Sequence, residues 1–342
     1  MEGMHRILDI GVCEQDVLAT VIHVDGSAYR REGACMLFRE DGTQIGLLSA
    51  GCLEADVAAR VQDLRRKGVS ETIVFDMRAE DDLSWGQGAG CNGAVHVLLE
   101  PVDERLQQHL KTLKLYLDQG IEVTILKKLN DIGAVSDYLF LAGRHTFGEW
   151  SGHVPEEVEH YMNERTKKSG MFFVSGLSAY IYVHTIWPKS RVIVFGAGMD
   201  AIPLVKLAAQ SGFSTVVSDW RPALCSRANF PEADELIVAF PEEAFQRIRF
   251  TPRDFILILT HQFQRDQQVL RYLLTKAVRY IGVLGSNLRT QRLLGGSAIP
   301  PIVKSPVGLS IGADGPEEIA VSIVAELISL QRSDCQKRMV LS

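Results

Sequence analysis

The chain has 342 residues, of which 46% are hydrophobic and 23% charged, and its formal net charge is −6. This length allows two globular domains, and the acidic balance argues against a nucleic-acid-binding surface, which requires a basic stripe. The sequence contains no apolar run of the length that a membrane span needs and no pattern of a secretory signal. We therefore expect a cytoplasmic protein with neither a nucleic acid nor a membrane as partner.

The first half of the chain alternates short apolar runs with polar and glycine-rich loops, which predicts an α+β domain with an antiparallel or mixed sheet. Asp41-Gly42 between two of these runs is a strong hairpin signal, and Lys127-Lys128 is interpreted as a solvated face. The predicted helices are 1–16, 54–67, 102–120 and 156–168. The predicted strands are 17–24, 34–38, 44–48, 72–75, 95–99, 123–126 and two short strands within 171–186.

Trp187-Pro188-Lys189-Ser190 is the best candidate for a linker between domains. It divides the chain into a predicted α+β domain, 1–187, and a predicted Rossmann-like nucleotide-binding domain with a parallel sheet, 188–342. The predicted strands of the second domain are 192–195, 213–218, 236–239, 255–260, 280–284 and a last strand or turn at 308–312. Its predicted helices are one that Gly212 closes, 266–277, 289–294 and 316–330.

The stretch from Arg191 to Asp219 has the pattern of the nucleotide-binding half of a Rossmann fold. An apolar strand runs directly into Gly196 and Gly198, and Ala201 holds the third place of the Gly-x-Gly-x-x-Gly/Ala fingerprint. Gly196 allows the tight turn, Gly198 lets the backbone approach a phosphate, and the next helix offers free amides to the anion. Asp219 ends the second strand, near the position of an acid that binds ribose hydroxyls.

Further polar residues follow the predicted strands, at the edge where open α/β sheets bind their ligands. His261 is placed to hydrogen-bond a phosphate or a base, and an ordinary loop histidine fits the pattern equally well. Gly285 and Ser286 take the same place after the next strand. Beside Asp219, Arg221 would instead receive a 2′-phosphate. The sequence thus leaves NAD, NADP, another nucleotide or an empty Rossmann turn open.

The six cysteines show no Cys-x-x-Cys pattern and no neighbouring histidine, so we expect free thiols rather than a structural zinc site. Cys52 falls between a strand and a helix start, where the dipole and free amides favour a thiolate. Cys91 lies among glycines that let the backbone close around a ligand. The two thiols can share a pocket, or either can be a small buried filler. The remaining cysteines are Cys13, Cys35, Cys225 and Cys335.

Charged residues lie near both of these loops. Arg30 and Arg31 occupy a glycine-flanked loop that can close over a phosphate, although two solvated arginines would give the same pattern. Glu54 and Asp56 could serve as acid or base. On the first turn of a helix they also complement its dipole, and this is the interpretation we favour.

Taken together, these motifs make the chain resemble the XdhC/CoxI family, accessory proteins of molybdenum hydroxylases such as xanthine dehydrogenase and carbon monoxide dehydrogenase. The resemblance departs from the family pattern at Ala50 and Asn92, where the family has glycine. The segments that carry it are 26–33, 49–54, 90–93, 195–198, 219–222, 260–261, 280–286, 305–313 and 316–320.

The resemblance implies a protein that binds molybdenum cofactor (molybdopterin), holds it while a terminal sulfido ligand is installed, and passes it to an apo-hydroxylase. The implied partners are the large subunit of the hydroxylase and a cysteine desulfurase, and a homodimer is compatible with this picture. Thiolates suit the metal centre, so Cys52 and Cys91 are the predicted metal ligands. The predicted cofactor-binding residues are Cys52, Cys91, Arg30, Arg31, Gly196, Gly198, Asp219 and His261.

Three other functions stay open on the sequence: an NAD(P)-binding oxidoreductase, a non-catalytic scaffold and a xanthine dehydrogenase subunit. The sequence has no cysteine set of the kind that holds iron–sulfur clusters. This argues against hydroxylase turnover by the chain alone, so we expect a maturation factor without turnover of its own.

Overall fold

The computed structural model of the protein describes residues 2–49, 51, 53–78, 92–163 and 169–340. The chain divides into two compact units, Met1–Pro188 and Lys189–Leu341. A helix long and apolar enough to cross a membrane does not occur within the described ranges.

The first unit opens with an antiparallel sheet and two helices. Its strands are β1 (Val17–Ser27), β2 (Cys35–Phe38), β3 (Gln44–Gly46), β4 (Glu71–Asp76) and β5 (Asn92–Pro101), and its helices are α1 (Glu2–Ile10) and α2 (Glu54–Lys67). The strand order is β3-β2-β1-β5-β4. The predicted hairpin at Asp41-Gly42 joins β2 to β3. Helix α1 is shorter than the predicted 1–16 because Gly11 takes a left-handed φ of 82° and ends it.

A second antiparallel sheet follows in the same unit. Its strands are β6 (Val123–Leu129), β7 (Val135–Ala142), β8 (His145–Glu149), β9 (Gly170–Val174) and β10 (Ala179–Ile186), and its helices are α3 (Glu104–Asp118) and α4 (Glu156–Asn163). The strand order is β8-β7-β6-β10-β9. Asp103 starts α3 by accepting a hydrogen bond from the Leu106 amide, 2.8 Å away. The buried face of α3 carries leucines at helical spacing, Leu106, Leu110, Leu113 and Leu117.

The two sheets of the first unit share one apolar core with α1 and α3, in which Ile7, Leu18, Leu113 and Phe140 meet. A buried ion pair also links them. Lys127 of β6 contacts the Glu100 carboxylate of β5, with side chains 5% and 1% exposed. The interpretation of Lys127 as part of a solvated face is therefore wrong.

The second unit is a parallel sheet flanked by helices. Its strands are β11 (Arg191–Phe195), β12 (Ser214–Asp219), β13 (Glu235–Val238), β14 (Phe255–Ile258), β15 (Tyr280–Val283) and β16 (Val303–Lys304). Its helices are α5 (Ala201–Gln210), α6 (Pro241–Arg247), α7 (Phe263–Leu273), α8 (Asn287–Leu293) and α9 (Pro316–Val340). The order β13-β12-β11-β14-β15-β16 is that of the Rossmann fold. The predicted fold class, an α+β part followed by a Rossmann-like parallel sheet, is confirmed.

The last strand of this sheet lies earlier than the sequence predicts. Val303 and Lys304 pair with β15, whereas 308–312 forms no strand. Gly308 and Gly312, which bound the predicted strand, have left-handed φ angles of 97° and 73°. Such angles interrupt extended backbone, so this segment turns towards α9 instead.

Candidate functional site

The turn after β11 contains two glycines that are glycine for different reasons. Gly196 has a φ of 115°, and a Cβ there would lie 2.5 Å from the backbone of Leu259, just past β14. The packing of neighbouring strands therefore requires Gly196. A Cβ on Gly198 would meet nothing within 4 Å. Gly198 thus borders open space beside the start of α5, where a helix N-terminus favours an anion.

The acid at the end of β12 is saturated by hydrogen bonds. One carboxylate oxygen of Asp219 accepts from the Ala197 amide at 2.8 Å and from Nη2 of Arg221 at 2.7 Å. The other accepts from the Arg221 amide and from its Nε, both at 2.9 Å. Burial of Asp219 acts to raise its pKa, but the Arg221 guanidinium and the two amides outweigh burial and lower the pKa. A ribose hydroxyl would have to compete with Arg221 for this carboxylate.

Aromatic and cationic side chains gather beside Asp219. The rings of Trp220 and Phe240 are nearly parallel, 7° apart, with centroids separated by 6.2 Å. The Arg221 guanidinium lies 4.6 Å from the Trp220 centroid, and that of Arg265 lies 4.7 Å from the Phe240 centroid. We call these four residues the Trp220–Phe240 cluster. It lies at the carboxyl ends of β12 and β13, where a Rossmann fold receives a nucleoside.

His261 lies at the neighbouring carboxyl end, after β14. Its φ of 58° is unusual for a non-glycine residue, and its Nε2 lies 2.8 Å from the Asp200 carboxylate, beside the start of α5. The His261 side chain is 56% exposed. The parallel strands β11, β12 and β14 end at one edge of the sheet. Gly196 and Gly198 follow β11, Asp219 ends β12, and His261 follows β14.

The residue before His261, Thr260, belongs to a hydrogen-bond network with Asp266 and Arg289. The Thr260 hydroxyl donates to Asp266 at 2.5 Å, and Nη2 of Arg289 donates to the same carboxylate at 2.6 Å. Nη1 of Arg289 is buried, with no hydrogen-bond partner in the part of the chain that the structure describes. Gly285 packs against the stem of this arginine, since a Cβ there would lie 3.1 Å from Cδ of Arg289. Ser286 caps α8 by accepting from the Arg289 amide.

In the first unit, Arg30 and Arg31 lie on the surface of the loop between β1 and β2. Neither guanidinium has a hydrogen-bond partner among the residues described. Gly33 of the same loop packs directly against the buried imidazole of His184. It has a φ of 88°, and a Cβ there would collide with the imidazole, so the position requires glycine. Two unpaired cations on a fixed loop suit an anion, and they suit solvent as well.

Glu54 shapes the segment that precedes α2. It is 9% exposed, and its carboxylate accepts from the amides of Leu48 and Ser49, at 3.1 and 2.7 Å, and from the Ser49 hydroxyl. The Ser49 oxygen in turn accepts from the amides of Gly51 and Leu53. Glu54 is thus a structural anchor, beyond the dipole role that we favoured and distinct from acid–base chemistry. Asp56 is exposed.

Cys52 and Cys91 lie outside the described residues, so their role as metal ligands remains a prediction. Within the described ranges, no three His, Cys, Asp or Glu side chains form a group that could hold a metal ion. Cys13, Cys35 and Cys225 are free thiols, and burial raises the pKa of Cys35 to about 11.

We expect Glu54→Gln to lower the free energy of unfolding by about 1–2 kcal/mol at neutral pH, because the hydrogen bonds lose their charged acceptor. Burial raises the pKa of Glu54, but its bonds to Ser49 and the amides lower it overall. The stabilisation from a lowered carboxyl pKa is present above the unfolded pKa and is lost as the pH falls through the folded pKa. Urea unfolding should therefore separate wild type from variant at pH 7 and bring them together in acid.

Asp56→Asn is the matched control for this experiment, since Asp56 lies on the same helical turn but is exposed. It should change the unfolding free energy little at either pH. An equal loss in both variants would mean that the helix dipole, and not the bonds of Glu54, accounts for the effect.

The sequence did not predict the Trp220–Phe240 cluster or the hydrogen-bond network of Thr260, Asp266 and Arg289. Trp220 directly follows the predicted acid and Phe240 directly follows a predicted strand, so an aromatic residue at a strand end was the available signal. Arg265 and Arg289 come from helices whose position depends on the tertiary fold, and local sequence gives no sign of them.

Three family models match the chain. The model described as "XdhC and CoxI family" matches residues 14–76, the model described as "BH1974-like, central domain" matches 104–187, and the "XdhC Rossmann domain" model matches 192–327. The last of these runs from β11 into the first half of α9, and therefore includes the sheet edge described above.

Individual relatives extend over nearly the whole chain. A Bacillus subtilis (strain 168) protein, named as a probable xanthine dehydrogenase subunit, is 44% identical, covering 97% of this chain and 98% of the relative. The Escherichia coli (strain K12) molybdenum cofactor insertion chaperone PaoD is 23% identical, covering 92% of this chain and 83% of the relative. A crystal structure described as a xanthine dehydrogenase from Bacillus halodurans is 49% identical, with a TM-score of 0.85 over 97% of this chain and 96% of that one.

Proposed function

Because the chain belongs to the XdhC and CoxI family, we propose that it is an accessory protein that binds molybdenum cofactor and delivers it to a hydroxylase of the xanthine dehydrogenase type. The observation that carries this proposal is the similarity to a molybdenum cofactor insertion chaperone over 92% of the chain. The similarity to a protein named as a xanthine dehydrogenase subunit supports the choice of hydroxylase.

The described residues fit the phosphate-bearing part of such a cargo. Gly198 borders open space next to the N-terminus of α5, where backbone amides and the helix dipole stabilise a phosphate. Arg30 and Arg31 are exposed cations of the first unit that can pair with the same kind of group. The Ser49 hydroxyl, which donates to Glu54, accepts from the amides of Gly51 and Leu53, the described neighbours of Cys52.

The finer steps belong to the same proposal. Cys52 and Cys91 supply thiolates to the thiophilic metal centre, the cargo is held while a cysteine desulfurase provides the sulfido ligand, and the large subunit of the hydroxylase receives it. The chain acts in the cytoplasm, as a homodimer, and has no turnover of its own.

The test is the pterin content of protein purified from a host that makes molybdenum cofactor. Acid release and oxidation give a fluorescent product, and we expect it from the wild type and not from Cys52→Ala. Gly198→Val should also reduce it, because the new side chain occupies the open space. Gly176→Val is the matched control, since a Cβ at the exposed Gly176 also meets nothing within 4 Å.

Absence of pterin from the wild type would overturn the proposal. Full pterin content in Cys52→Ala would remove Cys52 from the site while leaving the chaperone role in place. Transfer is measured separately, by adding loaded protein to the cofactor-free hydroxylase and following its activity.

A further inference from the structure

The Trp220–Phe240 cluster and Asp219 together define which nucleotide the Rossmann edge can accept. In this fold the end of the second strand faces the ribose, and a carboxylate there binds the ribose hydroxyls of NAD-like ligands. Such a carboxylate must offer free lone pairs. Asp219 offers few, because four hydrogen bonds from Ala197 and Arg221 already occupy it.

At the end of β12, the Arg221 guanidinium is the group available to a ligand in place of the Asp219 carboxylate. Its Nε and Nη2 face the Asp219 carboxylate, and its guanidinium lies over the Trp220 ring. For Nη1, the described residues provide no hydrogen-bond partner, and the side chain is 36% exposed. The guanidinium is therefore held by a carboxylate on one edge and by a ring on one face, with its remaining edge available. A fixed guanidinium edge is a strong and selective partner of a phosphate.

A second cation reinforces the positive charge at this place. The Arg265 guanidinium lies 4.7 Å from the Phe240 centroid and 6.0 Å from that of Trp220. Within the described ranges it pairs with Glu242, which is 3.9 Å away and 57% exposed, so solvent weakens that pair. The partly exposed Phe240 also provides a surface on which a base can stack.

We infer that the nucleotide bound at the end of β12 carries a phosphate monoester on its ribose, which Arg221 holds. The ligand class is thus NADP-like or coenzyme A-like and not NAD-like. The proposed function uses Gly198 at this same sheet edge for the phosphate of its cargo. Pterin content and nucleotide affinity are measured separately, so the failure of one proposal is distinguished from the failure of the other.

The experiment is calorimetric titration of the full chain with 5′-AMP, 2′,5′-ADP and 3′,5′-ADP, which differ only in the phosphate on the ribose. We expect one of the two ribose phosphates to bind roughly tenfold or more tightly than 5′-AMP, the usual gain from hydrogen bonds to a charged group. A preference for 2′,5′-ADP indicates NADP as the source and a preference for 3′,5′-ADP indicates coenzyme A. Equal affinity for all three nucleotides, or no saturable binding, would overturn the inference.

Arg221→Ala gives the sharper result, because it removes the phosphate partner and releases Asp219. The monoester preference should disappear, and 5′-AMP should bind more tightly than it does to the wild type, since the freed carboxylate can accept from ribose hydroxyls. Retention of the preference in this variant would exclude Arg221. The control is Arg271→Ala, an exposed arginine of α7, which should leave all three affinities unchanged.

Should Arg221→Ala fail to fold because it leaves Asp219 buried and unpaired, Arg221→Lys decides the question. Lysine keeps the positive charge but loses the paired geometry. A folded Arg221→Lys protein with a reduced monoester preference supports the inference. An unchanged preference in that variant contradicts it, because it would show that a point charge near the site is sufficient.

Discussion

Lys127→Met is expected to lower the free energy of unfolding of the first unit by about 3–5 kcal/mol, the range observed when one partner of a buried ion pair is removed. Glu100 is 1% exposed, and without the ammonium its one remaining side-chain partner among the described residues would be the Tyr138 hydroxyl, which donates at 2.8 Å. Burial and the nearby carboxylate raise the pKa of Tyr138, so it remains a neutral donor. Urea unfolding followed by circular dichroism measures the loss.

The neighbouring lysine provides the control. Lys128 is 23% exposed and lies 3.7 Å from Asp137, so Lys128→Met should cost less than about 1 kcal/mol. The double variant Lys127→Met, Glu100→Gln should recover much of the stability, because it leaves no unpaired charge. If both lysine variants lost the same amount, the buried pair would not be what stabilises this part of the fold.

Gly196→Ala is expected to destabilise the second unit by about 2–4 kcal/mol, because it combines backbone strain at a positive φ with a steric overlap. The overlapping atoms belong to the backbone at Leu259, which cannot rotate away as a flexible side chain would. The strands β11 and β14 would have to separate. We expect thermal unfolding to show a lowered midpoint for the second unit. The pterin content should fall only in proportion to the unfolded fraction.

Gly198→Ala should instead leave the free energy of unfolding unchanged within about 0.5 kcal/mol. It should reduce the pterin content of the purified protein. The fold tolerates a Cβ there, because nothing lies within 4 Å of it and its φ is not in the left-handed region. Loss of stability at Gly198 comparable to that at Gly196 would contradict the assignment of open space beside this turn.

The architecture of the second unit was predictable because its signals are local. Strands such as β14, buried at all four residues, appear as continuous apolar runs, and the glycine fingerprint marks where the first strand ends. The same fingerprint identified Gly196, Gly198 and Asp219 as candidates. It could not show that Gly196 is needed for packing and that Gly198 is not, because that difference depends on a strand distant in sequence.

Other features required the folded chain. Lys127 and Lys128 are adjacent in β6 and point to opposite faces of the sheet, so one meets Glu100 of the other sheet and its neighbour reaches solvent. A sequence pattern gives the alternation without saying which face is covered. Likewise, Arg221 lies next to the predicted acid in sequence, but only the structure shows that its guanidinium occupies the carboxylate.

The imidazole behind the Arg30–Arg31 loop gives the protein a defined sensitivity to acid. Burial, with Lys127 nearby, lowers the pKa of His184 to about 3, while an unfolded histidine titrates near pH 6.5. Between these two pH values the histidine is protonated in the unfolded chain and neutral in the folded chain. The free energy of unfolding therefore declines as the pH falls through this interval. Because the ring remains neutral over the same interval, the loop keeps its position against it until the unit itself unfolds.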